Sequence, residues 1–125
     1  MSARILVIED NAKNLKLVRD VLEHAGYEVL PATTGEDGID AASRYAPDLV
    51  LMDLQLPGID GVEALRQLRG AGRDGVPVVA VTAFAMREDR QRALDAGFDG
   101  YLEKPISVRD FPAQIQAFLD REVAT

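Results

Sequence analysis

No cysteine occurs among the 125 residues, which excludes a disulfide framework and thiolate ligation of a metal but points to no compartment. Long apolar runs are also missing. The longest, around 76–86, is interrupted by Pro77 and Thr82 and falls short of the roughly 20 residues that a membrane span needs. The N-terminus turns acidic at Glu9 and Asp10 after a short apolar stretch, too soon for a signal peptide. A cytoplasmic protein without membrane insertion is expected. Basic patches are absent as well: 14 Lys and Arg stand against 21 Asp and Glu, a formal net charge of -7. The field of such a molecule repels polyanions, so direct contact with nucleic acid is not expected. There is no internal repeat, low-complexity segment or interior linker, and the length suits one domain with its own core.

Apolar residues make up 47% of the chain, and they fall into alternating strand and helix patterns. After a first strand at 4–8, Leu15, Val18, Leu22 and Ala25 recur at helical spacing beside Val21, and Gly26 stops the helix. A second strand at 28–32 leads to a helix at 35–45 whose Ile39, Ala42 and Ala46 are expected to face inward, with Pro47 ending it. Turn chemistry fills 56–61, with Asp60 as N-cap of a helix over 62–68, and 70–75 reads as a loop. The fourth strand leads to a helix near 87–96, and Gly97 and Gly100 bracket the turn into the fifth strand. The last helix buries Phe111, Ile115, Phe118 and Leu119. It begins near Asp110, or Ser107 caps it and Pro112 distorts its early turns. This (βα)5 order predicts an α/β fold, a doubly wound parallel five-stranded sheet covered on both faces. The strand order 2-1-3-4-5 is taken by analogy with doubly wound folds of that type.

Four of the apolar runs end on a polar residue: the first on Glu9 and Asp10, the third on Asp53, the fourth on Thr82 and the fifth on Lys104. In a parallel sheet all these ends lie along one edge, where ligands of open α/β proteins bind. Three carboxylates, a hydroxyl and an ammonium would share one pocket, a set suited to a divalent cation and to receiving a phosphoryl group. Each residue also has a plainer explanation. A lone Asp at a strand end commonly caps a turn, Glu9 and Asp10 could open a solvated loop, Thr82 could be an ordinary strand residue and Lys104 a surface charge. All four explanations must hold together for the site to be an accident.

The acidic pair Glu9 and Asp10, the lone Asp53, Thr82 followed by Ala83, and Lys104 followed by Pro105 resemble, in order and spacing, the landmarks of the receiver domain of two-component response regulators. The resemblance runs over 4–119. The strings 81–86 (VTAFAM) and 104–108 (KPISV) are further similar to stand-alone cell-fate regulators of alphaproteobacteria. It implies a flavodoxin-like, CheY-like fold and a phosphorelay function.

The chemistry agrees. Three carboxylates within about 4 Å would repel by about 4 kcal/mol per pair at an effective dielectric of about 20, so the site needs a cation. Magnesium suits it, because that ion keeps several waters and takes one or two carboxylates. Asp10 and Asp53 are then direct ligands, Glu9 acts through water, and the resemblance adds the backbone carbonyl of Gln55. Asp53 is the nucleophile that forms an aspartyl phosphate. Thr82 and Lys104 bind the phosphate oxygens. The resemblance implies that Tyr101 turns inward as Thr82 moves, and that Gln55 and Phe84 line the path of attacking water. The helix at 87–96 has few large apolar residues beyond Leu94, so it is weakly anchored. It forms a partner face with the fifth strand and last helix, including Phe84, Arg87, Tyr101 and Ile106.

Rival readings are weaker. A haloacid-dehalogenase-type phosphatase wants a second Asp two residues after the first, where Gln55 stands. A flavodoxin-like or nucleotide-binding protein wants glycines in the first loop, which is acidic instead. A phosphate-independent receiver-like interaction module is the remaining alternative. Asn11 is read as loop support, Met52 and Met86 as packing, 87–92 as a solvated helix face, and His24 as a cation at a helix C-terminus. The chain reads as one receiver domain over 1–125 without an output domain, and Met1 with the short tail favours a complete gene product. It is a signalling protein, not a turnover enzyme. The resemblance implies a histidine kinase, a histidine phosphotransfer protein or both as partners, and a downstream protein target.

Overall fold

Parallel strands flanked by helices on both faces build the molecule, a computed structural model that describes residues 3–54, 56, 61–70, 76–83 and 87–123. The elements run β1 (Arg4–Ile8), α1 (Ala12–His24), β2 (Glu28–Ala32), α2 (Gly35–Tyr45), β3 (Leu49–Asp53), α3 (Gly61–Gly70), β4 (Val78–Thr82), α4 (Arg87–Ala96), β5 (Gly100–Glu103) and α5 (Phe111–Val123). All strands are parallel, in the order β2-β1-β3-β4-β5, as expected. Among the described residues no helix is long and apolar enough to cross a membrane.

Successive side chains of a strand point to opposite faces, so each apolar run divides between two cores. Leu6, Ile8, Val50, Met52, Val78 and Ala80 pack with Ala42, Ala64, Leu65 and Leu68 from α2 and α3. Ile5, Val7, Leu49, Leu51, Val79 and Val81 pack with Val18 and Leu22 of α1 and with Phe111, Ile115 and Leu119 of α5. Leu6, Ile5 and Leu49 are fully buried, each worth about 1.5–3 kcal/mol relative to exposure. Two glycines permit close approaches. A Cβ on Gly38 would lie 2.3 Å from Cδ1 of Ile8, and one on Gly100 would lie 2.3 Å from the Phe118 ring.

Several expectations are corrected at helix ends. Ala25 is the exposed C-cap of α1 rather than a core residue. Ala46 is the left-handed C-cap of α2 (φ 47°) and is exposed, because Pro47 disfavours helical geometry at the preceding residue. Gly70 belongs to α3, which also starts at Gly61, before position 62. Phe118 is half-buried against Gly100. Leu94 is 39% exposed, and among the described side chains of α4 Ala93 is buried. Helix α5 begins at Phe111, next to Asp110 as the first alternative has it, and the Asp110 N–H donates to the carbonyl and hydroxyl oxygens of Ser107. Pro112 therefore falls in the first turn, where the missing N–H has no helical partner to lose. Asp60 and residues 71–75 lie outside the described residues, as do Gln55, Phe84, Met86 and the Arg87 side chain.

Far from the strand ends considered above, Arg69 of α3 donates to the Val76 carbonyl (2.7 Å) and to Asp99 (2.9 Å), and that carboxylate accepts the Val78 N–H (2.8 Å). This cluster ties α3 to the start of β4 and to the turn before β5.

Candidate functional site

The register of the sheet assembles the site. Ile8 pairs with Met52, so Glu9 follows β1 beside Asp53 at the end of β3. Thr82 pairs with Glu103, so Lys104 leaves β5 next to the end of β4. Backbone bonds hold these ends: the Glu9 N–H donates to the Ala32 carbonyl (2.9 Å) and the Lys104 N–H to the Thr82 carbonyl (2.8 Å). Glu9, Asp53 and Thr82 are 4%, 5% and 1% exposed, whereas Asp10 is open to solvent. A peptide in the cis form follows Lys104, at Pro105.

One carboxylate oxygen from each of Glu9, Asp10 and Asp53 lies within 4.8 Å of the others. The half-buried Lys104 ammonium donates to Oδ2 of Asp53 (3.0 Å) and to Oε1 of Glu9. Oε2 of Glu9 accepts the backbone N–H of Asn11 (3.3 Å). Glu9 is thus held at both oxygens. Beneath Glu9 and Asp53 is a cavity of about 20 Å³ lined by Val7, Val18, Leu51, Val81 and Phe111. Its floor is apolar and offers the carboxylates no hydrogen-bond partner from below.

Burial accordingly pushes the Glu9 carboxyl above its ordinary pKa, helped by the neighbouring Asp53, while Lys104 and the Asn11 amide pull the other way. Burial opposes the Lys104 charge, yet its hydrogen bonds to Glu9 and Asp53 outweigh that penalty and raise its pKa. The donor set fits magnesium: every ligand atom is a hard carboxylate oxygen, and the carboxylates are too few for an all-protein calcium cage.

The structure therefore brings Glu9, Asp10, Asp53 and Lys104 together and puts Thr82 at the adjoining strand end. Tyr101 is 9% exposed and packs in the core on the α2 and α3 side. It also walls a groove of about 290 Å³ together with Glu103, Ile106 and Gln114. Its register opposite Ala80 turns the ring toward the sheet's first core. Ile106 is half-buried against the other core. The positions Gln55 and Phe84 belong to the undescribed segments. Asn11 is the residue whose role the sequence understated. Its Oδ1 accepts the N–H groups of Lys13 (3.0 Å) and Asn14 (3.1 Å), capping α1. An Asn just before a helical stripe is the signal for such a cap.

Comparison with known proteins agrees with this geometry. The pattern of the response regulator receiver domain matches residues 5–116. The polar-differentiation response regulator DivK of Brucella ovis is 41% identical over 120 residues, covering 95% of this chain and 98% of that protein. A CheY-like receiver domain protein of Methanospirillum hungatei has 32% identity and a TM-score of 0.91, covering 99% of this chain and 98% of that one. The receiver domain of a sensor histidine kinase from Pseudomonas aeruginosa PAO1 has 34% identity, a TM-score of 0.84 and full coverage of both chains. Its crystal structure carries a magnesium ion in the active-site cleft. Fold, acidic pocket and sequence all converge, and the chain belongs to the response regulator receiver domain family, whose members are signalling proteins rather than turnover enzymes.

Proposed function

We propose that Asp53 accepts a phosphoryl group in a magnesium-dependent reaction and that the phosphorylated protein changes its affinity for a partner. One observation supports this above all: Asp53 is buried at the end of the central strand, paired with Lys104 and within 4.8 Å of two further carboxylates. An oxygen of Asp53 forms a bond to phosphorus while the donor's bond to phosphorus breaks and the donor leaves with the electron pair. Lys104 holds an equatorial oxygen of the transferring group, and the Thr82 hydroxyl donates to another once the group has arrived. Asp10 and Asp53 would hold magnesium, with Glu9 acting through water and the Gln55 carbonyl as third ligand, and the ion would neutralise the charge that gathers there. The donors are a histidine kinase or a histidine phosphotransfer protein. The test is mass measurement after incubation with a small phosphodonor. One added phosphoryl group, lost when a chelator removes magnesium, is the expected result. Labelling indifferent to the chelator would overturn the reading, and a phosphate-independent interaction module would show no labelling at all.

The docking face in this reading comprises α4, β5 and α5, with Phe84, Arg87, Ile106 and the groove walled by Tyr101. Among the described side chains of α4 only Ala93 is buried, so the helix is held weakly enough to move. Amide exchange is expected to change on this face when the phosphoryl mimic beryllofluoride binds. Changes confined to α1 and α2 would refute it.

Lifetime depends on Gln55 and Phe84, which flank the proposed path of water. Neither carries charge, and Phe84 offers no acceptor to orient a water. Slow loss of the phosphoryl group is expected in the absence of a partner. Phe84→Glu adds a water-orienting carboxylate, and about 1.4 kcal/mol of barrier suffices for a tenfold faster decay. Decay at an equal or slower rate in Phe84→Glu would show that the position does not gate water.

A further inference from the structure

The turn between β1 and α1 does two things at one residue. Asn11 has extended backbone geometry (φ -83°, ψ 117°), and its side-chain oxygen accepts the N–H groups of Lys13 and Asn14. Its carbonyl accepts the Leu15 N–H at 2.9 Å, the first bond of the helix. These three bonds set the direction of the backbone N–H of Asn11, which points back at Oε2 of Glu9 (3.3 Å). The other oxygen of that carboxylate is taken by Lys104. Glu9 is therefore clamped between a cation from β5 and an amide whose orientation is decided by a helix cap. Asp10 is the single residue between clamp and cap, so its carboxylate is aimed by the same turn.

We propose that Asn11 is a positioning residue for the magnesium-dependent step: its side chain locks the turn that holds Glu9 and aims Asp10 toward Asp53. This rests on the proposed phosphoryl-acceptor reading. Asn11 itself touches neither the ion nor the phosphoryl group. Residues that orient ligands in this way commonly carry about a tenfold share of metal affinity.

Helix caps also contribute to stability in general, and the molecule supplies its own control for that. Thr34 caps α2 through the same kind of bond, its Oγ1 accepting the Asp37 N–H at 3.1 Å, but it is no part of the acidic cluster. Asn11→Ala and Thr34→Ala should each lower the melting temperature by about 3–5 °C. Magnesium affinity, read by titration calorimetry on the whole protein, should fall about tenfold in Asn11→Ala and stay within about twofold of the parent in Thr34→Ala. Asn11→Ser, which restores a capping oxygen without adding charge, should recover most of the affinity. The proposal is overturned if Asn11→Ala binds magnesium as the parent does, if Thr34→Ala loses as much, or if serine fails to rescue. Absence of magnesium binding by the parent protein would sink the phosphoryl-acceptor reading with it, whereas normal binding by Asn11→Ala would sink the positioning role alone.

Discussion

Asp53→Asn is expected to abolish phosphoryl uptake while the protein remains folded. The side chain keeps its shape, and its carbonyl oxygen can still accept from Lys104, which now holds Oδ2 at 3.0 Å. What is lost is the anionic oxygen that must bond to phosphorus. Neither remaining carboxylate is placed to replace it, since Asp10 is open to solvent and Glu9 is held at both oxygens by Lys104 and the Asn11 amide. Removing a sole nucleophile lowers such rates on the order of 10³-fold or more. Mass measurement after a small phosphodonor and magnesium should show an unlabelled variant with an unchanged far-ultraviolet dichroism spectrum. Full magnesium-dependent labelling of Asp53→Asn would sink the assignment.

Lys104→Met is expected to move two properties of the site in opposite directions. In the structure the ammonium is the cation that offsets Glu9 and Asp53. Removing it takes a positive charge from beside the cluster, so magnesium should bind about tenfold tighter, about 1.4 kcal/mol. The phosphoryl oxygens lose a fixed donor at the same time, and groups of that kind are worth about 10²-fold in rate. Titration calorimetry and initial labelling rates on one preparation give both numbers. Weaker magnesium binding would mean that Lys104 organises the carboxylates rather than competing for them. An unchanged labelling rate at saturating magnesium would remove it from the transfer step. The methionine keeps most of the buried stem, so loss of packing does not confound the comparison.

What the chain's periodicity determined was the content of each element. Runs such as 5–8 and 49–52 are apolar throughout because a central parallel strand is covered on both faces, and the interleaved helical stripes made the α/β alternation legible. The polar residues ending those runs were visible for the same reason: an apolar run must stop where the strand leaves the core. Helix ends were less legible. Ala25 and Ala46 continue the spacing of their stripes, yet they are exposed caps, since spacing records where a residue would point if the helix went on.

Tertiary structure alone decided who meets whom. Tyr101 sits inside because its register opposite Ala80 turns it toward the first core. Glu9 lies beside Asp53 because β1 pairs with β3 in one register out of several that the apolar pattern allows. Lys104 binds carboxylates 95 and 51 residues earlier in the chain, a convergence that only the parallel winding of the sheet produces. Asn11 gained its place at the site through the direction of one backbone N–H, which no residue type encodes. A sequence carries the faces of its own elements, whereas the partners of a buried charge follow from how those elements are laid side by side.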